Sequence, residues 1–323
     1  MHIPDGFLST PLSASTSAIS LAALTYSLIS LKKEVKKDKA ITPLLAMLTA
    51  FVFAAQMLNF PIGGGTSGHF LGAAAIMALL GPWSACVALS LVLIVQAFLF
   101  GDGGVTALGA NIFNMGIVAG IVCWPMMRSI RNILPAGRSG YLASVAVTSW
   151  FSIVLASFSC SLLLAFSGTI DLGTVLPAMV GTHALIGIGE ALISTAVVAA
   201  VLSIRPDIAP QWSQTPTTTK SILPAPSLSM SGLAVAVLLA TFASPFASSF
   251  PDGLERVAED KGFIERASEE VTVWQNSLFP DYTLPIIQAE GLSTSAAGLI
   301  GTLLMFAMGY VVVGSMVRQP MKK

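Results

Sequence analysis

The stretch Trp83-Ser84-Ala85-Cys86-Val87-Ala88-Leu89-Ser90-Leu91-Val92-Leu93-Ile94-Val95-Gln96-Ala97-Phe98-Leu99-Phe100 runs for eighteen residues without a charged side chain. As a helix it would extend roughly 27 Å at 1.5 Å per residue, close to the ~30 Å hydrocarbon core of a bilayer. Comparable apolar segments flank it at 12–31, 41–58, 68–80, 106–126, 141–166, 180–204, 228–243 and 292–316. The 68–80 segment is short and stops at Gly81-Pro82, so it is expected as a bent element packed beside a loop. Of all 323 residues, 54% are hydrophobic and 10% charged, whereas a soluble domain carries roughly 25% charged residues. The fold class that follows is an all-α polytopic membrane protein, to which soluble-domain counting does not apply. Cys86, Cys123 and Cys160 stand alone in apolar sequence with no CxxC, and read as buried thiols.

Lysine and arginine accumulate on the cytoplasmic side of membrane proteins. Lys32, Lys33, Lys36, Lys37 and Lys39 fall in the first loop, and Arg128, Arg131 and Arg138 near 127–140. Arg205 and Lys220 fall in 205–227, and Arg318, Lys322 and Lys323 in the tail. With nine spans these thirteen of the sixteen basic residues share one side. Residue 1 is then expected outside and residue 323 inside. The outer side carries Asp5, Asp102, Asp171 and most carboxylates of 244–290. A negative outer face raises local cation concentration, although acidic loops also carry no topological penalty. The start has no basic n-region and Asp5 interrupts it, so no cleavable signal peptide is expected. The bulky His2 favours retention of Met1.

Ahead of the first span stands Met1-His2-Ile3-Pro4-Asp5-Gly6-Phe7-Leu8-Ser9. The terminal amine, the His2 backbone nitrogen and the His2 imidazole can chelate one divalent ion in a plane, the geometry preferred by Ni(II) and Cu(II). Pro4 keeps this tip out of regular structure. The two other histidines are His69 and His183. His69 follows Gly63-Gly64-Gly65-Thr66-Ser67-Gly68, a backbone able to carry an imidazole to another segment. On spacing alone, a histidine satisfied by nearby backbone is the simpler reading of His69. Planar nitrogen ligation gives the d8 ion Ni(II) ligand-field stabilisation that Zn(II) does not gain, and suits Co(II) less well. It requires loss of the amine and amide protons, so affinity falls as pH drops.

MHIPDG, GGGTSGH and FGDGGVTALGANIFNMG, in that order, resemble the CbiM/NikM family through about residue 204. These are the substrate-binding (S) membrane components of energy-coupling-factor transporters for cobalt and nickel. The resemblance implies a seven-helix S-component bundle. It also implies a metal site on the Met1 amine, the His2 backbone nitrogen and imidazole, and the His69 imidazole, with Ni(II) or Co(II) as transported substrate. The implied partners are a transmembrane coupling subunit and ABC-type ATPase subunits in separate chains. No GxxxxGK[ST] occurs here, so ATP hydrolysis is not expected of this chain, which reads as a non-enzyme.

Asp5, Thr66, Ser67, Asp102, Asn111 and Asn114 are candidates for orienting the ligands. Asn111 and Asn114 are three apart and are expected on one helix face, where they equally can cap or bridge helices. His183 and Glu190 lie two helical turns apart on one face. Ionisable residues inside a span are functional candidates. These two are too far apart on a regular helix to chelate one ion, so packing or coupling is the expected role. The Gly68/Gly72 and Gly116/Gly120 pairs have the spacing of close helix packing.

Residues 205–227, RPDIAPQWSQTPTTTKSILPAPS, read as a linker. The expected organisation is a metal-binding module at 1–204, a cytoplasmic linker at 205–227, and a second module at 228–323. In the last, two spans flank a small extracytoplasmic segment. Asp252 is placed to cap a short helix with Glu255 as its capping-box partner, and Gly262 to end it. Phe279-Pro280-Asp281-Tyr282 breaks the segment before the final span. The sequence PDGLERVAEDKGF resembles the PDGLE domain of CbiN/NikN-type accessory subunits. That resemblance implies a NikMN-type fusion and a role in bringing metal to the N-terminal loop. The expected setting is the lipid bilayer of a prokaryotic inner or plasma membrane, with no nucleic-acid partner. A proton-coupled secondary metal transporter using His183 and Glu190 is the alternative. An intramembrane metalloprotease would need HExxH, which is absent.

Overall fold

The computed structural model describes residues 1–208, 222–267 and 271–316. Helix α1 (Thr10–Lys37) starts with Pro11 in its first turn and ends on Lys36 and Lys37, where cations face the negative end of the helix dipole. After α2 (Ile41–Gln56) the chain forms a hairpin of β1 (Phe60–Gly63) and β2 (Thr66–Gly68). The strands are antiparallel, with Phe60 opposite Gly68 and Pro61 opposite Ser67. Gly63, Gly64 and Gly65 all have positive φ at the turn, a conformation that glycine adopts without strain. Then come α3 (Ala73–Leu80), α4 (Pro82–Phe100), α5 (Leu108–Ile133), α6 (Arg138–Phe166) and α7 (Leu172–Ile204). The second part contains α8 (Ala225–Phe246), the short α9 (Gly253–Asp260) and α10 (Glu290–Ser315).

Among the described residues, α1, α4, α5, α6, α7, α8 and α10 are long and apolar enough to cross a membrane. The chain is a multi-pass membrane protein. The nine apolar segments of the sequence become these seven helices plus α2, with 16 residues, and α3, with 8. The 68–80 segment is bent as expected: it begins in β2 and turns helical only after Gly72. Gly68 and Gly72 are therefore not a helix-packing pair. The hairpin and the positive φ of Gly72 interrupt the helix there, and the two glycines instead make room for Ile186 and Val52. Gly116 and Gly120 do pack against another helix, on Cys86 and Ala85 of α4.

The second part is fastened to α2. Gly232 of α8 lies on Met47, Gly301 of α10 on Phe53 and Phe100, and Gly309 on Ala46, each where a side chain would collide. Small residues of this kind let helices approach closely within a membrane. The tip, the hairpin, the α4–α5 and α6–α7 loops and the described residues of 247–289 gather at one end of the bundle. Lys32–Lys39, Arg128, Arg131, Arg138 and Arg205 gather at the other, where Arg138 donates to Ala199 O (2.9 Å) and Ser203 Oγ (2.7 Å). That end also holds an apolar hollow of about 730 Å³ between Ile41, Leu80, Trp83 and Trp124. Lys220, Arg318, Lys322, Lys323 and linker residues 209–221 lie outside the described residues.

Candidate metal centre

The first nine residues cross the end of the bundle instead of projecting from it. Met1 is 4% exposed, and Ile3 and Phe7 are buried. The Ile3 N–H donates to Asn111 Oδ1 (2.8 Å), while Asn111 Nδ2 (3.1 Å) and the Gly104 N–H (2.9 Å) donate to the Ile3 carbonyl. Asp5 accepts the N–H (2.8 Å) and hydroxyl (2.6 Å) of Thr106 on one oxygen and the Val273 N–H (3.1 Å) on the other. The Thr169 hydroxyl donates to the Phe7 carbonyl. Gly104 must be glycine, because a Cβ there would strike the backbone of Pro4 and Asp5. These contacts order a segment that has no internal secondary structure, so its conformation is set by residues more than a hundred positions away.

This path brings the Met1 amine to 3.3 Å from His69 Nε2 and 3.1 Å from Asp252 Oδ2. His69 Nε2 and Asp252 Oδ2 are 3.6 Å apart. His69 Nδ1 lies 3.1 Å from the Phe70 carbonyl. A carbonyl only accepts, so Nδ1 carries the proton and Nε2 presents its lone pair to the amine. The His2 ring stacks on the His69 ring, with centroids 5.2 Å apart and planes at 25°. The ligating atoms of His2, His69 and Asp252 all lie within 4.8 Å of one another. Burial lowers the His2 pKa to about 4, against the opposing pull of Asp102, so the ring is neutral near pH 7. Burial alone would raise Asp252, but the charge of the Met1 amine outweighs it and holds this carboxyl well below the usual range.

Both His2 ring nitrogens face acceptor oxygens, and the single N–H of the neutral ring serves one of them. Nδ1 lies 3.1 Å from Asp102 Oδ1, and Nε2 lies 3.2 Å from Gln96 Oε1. Gln96 Nε2 donates to Gln56 Oε1 (2.8 Å) and to the Tyr282 hydroxyl (2.9 Å), and that hydroxyl donates to Asp102 Oδ2 (2.6 Å). The result is a ring of contacts from His2 through Gln96 and Tyr282 to Asp102 and back. Burial, then Asp102, pushes the Tyr282 pKa well above its ordinary value, so its hydroxyl keeps the proton it donates. Tyr282 and Asp281 have φ of 58° and 48°, a conformation uncommon for such residues and found where surrounding contacts impose it.

The described residues of 247–289 close this end. Asp252 caps α9 through Oδ1, accepting from Leu254 and Glu255 N–H (both 3.1 Å), and Glu255 returns the bond to the Asp252 N–H (3.3 Å). This is the expected capping box, and Gly262 follows α9 at φ 74° as expected. Ser67 ties the segment to the hairpin: its N–H donates to the Pro251 carbonyl (3.0 Å) and its hydroxyl to that of Phe250 (2.6 Å). Trp274 Nε1 donates to the Phe98 carbonyl (2.7 Å) and the Phe279 N–H to that of Leu99 (2.8 Å).

Met1, His2 and His69 thus come together, and Asp5, Asp102 and Asn111 hold the tip or the His2 ring. Ser67 instead anchors Phe250 and Pro251, and Thr66 sits in β2 opposite Gly63. Asn114 does not act with Asn111, since its Oδ1 accepts from the Ser159 hydroxyl (2.7 Å). Glu190 accepts the Leu71 (2.7 Å) and Gly72 (2.9 Å) N–H groups and so fixes the backbone just after His69. His183 Nδ1 donates to the Met179 carbonyl (2.8 Å), and its buried Nε2 has no hydrogen-bond partner. The contacts of Asp252 with the amine and of Tyr282 with Asp102, and the Gln56–Gln96 pair, were missed by sequence reasoning. The capping motif marked Asp252 as ordered, but no local pattern links it to residue 1.

Fold and cluster together define a class, that of a multi-pass membrane protein of metal transport. Residues 2–208 match the family described as the cobalt uptake substrate-specific transmembrane region, and residues 227–319 match the PDGLE domain. The chain belongs to this cobalt uptake family and is a nickel/cobalt transport component of the CbiM/NikM type. It is 35% identical over 312 residues to a putative fused nickel transport protein, NikMN, of Archaeoglobus fulgidus, covering 96% of this chain and 97% of that one. It is 33% identical to the fused nickel transport protein NikMN of Rhodobacter capsulatus over 64% of this chain and 63% of that one. A crystal structure described as a truncated transition metal transporter is also similar, with TM-score 0.55 and 35% identity over 63% of this chain and 99% of that one. These relatives are transport proteins, not enzymes.

Proposed function

We propose that the chain is the substrate-binding component of an ATP-driven energy-coupling-factor transporter, and that it captures Ni(II), or Co(II), on the nitrogens of its N-terminal tip. The observation that carries this reading is a buried terminal amine 3.3 Å from a histidine Nε2 with a free lone pair. The donors are the Met1 amine, the His2 amide nitrogen and Nδ1, and His69 Nε2. Loading exchanges the contacts of the amine with Asp252 and of Nδ1 with Asp102 for bonds to the metal. The amine and amide protons leave as it forms. Four nitrogens in a plane favour Ni(II) by geometry, since raw affinity alone would favour copper.

Metal arrives from the extracytoplasmic side, and release follows reorientation driven by a coupling subunit and ABC-type ATPases in other chains. Residues 1–204 form the metal-binding module, 205–227 a cytoplasmic linker, and 228–323 a loading module. Glu190 is engaged by two backbone N–H groups, which favours a supporting role over a proton relay. Titration of the purified full chain with Ni(II) tests the site. One equivalent of diamagnetic, square-planar Ni(II), lost in His69→Ala, is expected; undiminished planar binding in that variant would refute it. With partner subunits present, uptake stops on ATP depletion. Uptake that follows a proton gradient without ATP would establish the secondary transporter instead.

A further inference from the structure

A cavity of about 490 Å³ at the outer end leads down to the tip. His2, His69, Asp102, Asp252, Glu255 and Asp281 line it. It is a polar route whose carboxylates raise the local concentration of a divalent cation. At its floor, His2, His69 and Asp252 bring their ligating atoms within 4.8 Å of one another. His69 Nε2, because Nδ1 carries the hydrogen, and the Asp252 carboxylate oxygen Oδ2 are available without losing a proton. Asp252 Oδ1 is committed to capping α9, so Oδ2 alone faces the tip, 3.1 Å from the amine and 3.6 Å from His69 Nε2. Behind them, a cavity of about 10 Å³ lies between Met1, His69, Asp252 and His183, room for about one water-sized occupant. His183 there has a buried Nε2 with no hydrogen-bond partner.

Resting on the tip as the final nickel site, we propose that Asp252 is a metal ligand in its own right, forming with His69 and His2 a capture site that holds the incoming divalent cation before the planar nitrogen site closes. The planar site cannot form at first encounter, because it requires deprotonation of a peptide amide that the metal itself must drive. A carboxylate and imidazoles, in contrast, accept a hydrated divalent ion directly, as they do for Zn(II). In the capture step the cation takes the place of the Met1 ammonium on Oδ2. His69 remains bound throughout, and Asp252 is released when the amine and the His2 amide take over. The external segment thereby contributes a ligand atom as well as a cover. The segment stays seated in the meantime, since Ser67 holds the Phe250 and Pro251 carbonyls independently of Oδ2.

Rapid mixing of the full chain with Ni(II), following the planar absorption band, tests this. Asp252→Asn keeps a good helix cap and removes the anionic ligand; it is expected to reach the same final spectrum and affinity about tenfold more slowly. Glu259→Gln, on the same helix but not lining the cavity, is expected to load at the wild-type rate. Zn(II), which gains nothing from a plane, is expected to slow Ni(II) loading of the wild type and to lose that effect in Asp252→Asn. Asp252→Ser, a second cap-competent variant, is expected to behave like Asp252→Asn. Wild-type loading rates in both Asp252 variants would overturn the capture site. A lost final affinity would also overturn it, by making Asp252 a permanent ligand. Absence of a planar band in the wild type would refute the nickel site itself rather than the capture step.

Discussion

The N-terminal tip and the His183–Glu190 face of α7 are both polar regions buried in an apolar bundle, and they are built in opposite ways. The tip has no regular structure, and Asn111, Gly104, Thr106 and Thr169 hold it from other elements. The α7 pair sits on continuous helix, with its backbone already satisfied and only side chains left to act. Glu190 spends both oxygens on the N–H groups of Leu71 and Gly72, while His183 leaves Nε2 unpartnered. In the proposed site the donor nitrogens that must change partners are carried on loops, and the rigid helix supports the loop from behind. Unsatisfied backbone groups are costly at membrane depth, so a carboxylate that caps two N–H groups beside an irregular segment has a structural reason to be there.

Replacing Glu190 challenges the comparison most severely. Glu190→Gln places an amide donor against a backbone N–H. It is expected to cost about 1–3 kcal/mol, read as a lower thermal midpoint in detergent, and to weaken Ni(II) binding about 10–100-fold. His183→Ala, by comparison, is expected to leave the final Ni(II) affinity unchanged. If His183→Ala abolished binding and Glu190→Gln did not, the division between presenting loop and supporting helix would be wrong.

Asn111→Ala probes the tip from the other side. It leaves the Ile3 N–H buried without an acceptor, at a cost of about 1–3 kcal/mol. Thermal unfolding and Ni(II) titration are expected to fall together; a stable variant with normal affinity would show that the tip does not depend on this bond. Tyr282→Phe removes the hydroxyl that donates to Asp102 and accepts from Gln96, and a loss of about tenfold or less in Ni(II) affinity is expected.

The smallest effect concerns pH. The His2 pKa is lowered by burial from 6.5 to about 4. Between those values the unfolded chain binds more protons at this residue than the folded one. The group therefore lowers stability as the pH falls through that window. An imidazole titration followed by NMR without added metal is expected to show a midpoint near 4, and a midpoint near the ordinary 6.5 would mean the ring is open to water.

The apolar segments, the nitrogens of the tip and the α9 capping box were legible because each is a local pattern. Even the bend in 68–80 could be read, from its length and from Gly81-Pro82. The partnership of Asp252 with Met1 spans 251 positions and joins the regions matched by the two families, so nothing in either segment announces it. Tyr282 reaches Asp102 only because the chain adopts left-handed φ at 281 and 282, where neither residue is the glycine that would have signalled it. Asn114 takes the helix-bridging role left open for it, accepting from Ser159 of α6, while Asn111 holds the tip.

The central claim is that the terminal amine is itself a ligand, and lengthening the chain by one residue at its start addresses it most directly. The extension moves the amine and leaves every side chain in place. The native terminus is expected to give one equivalent of diamagnetic, square-planar Ni(II), and the extended form to lose that spectrum while His2 and His69 remain present. Equally tight, planar Ni(II) binding in the extended form would contradict the account and shift the site to side chains alone.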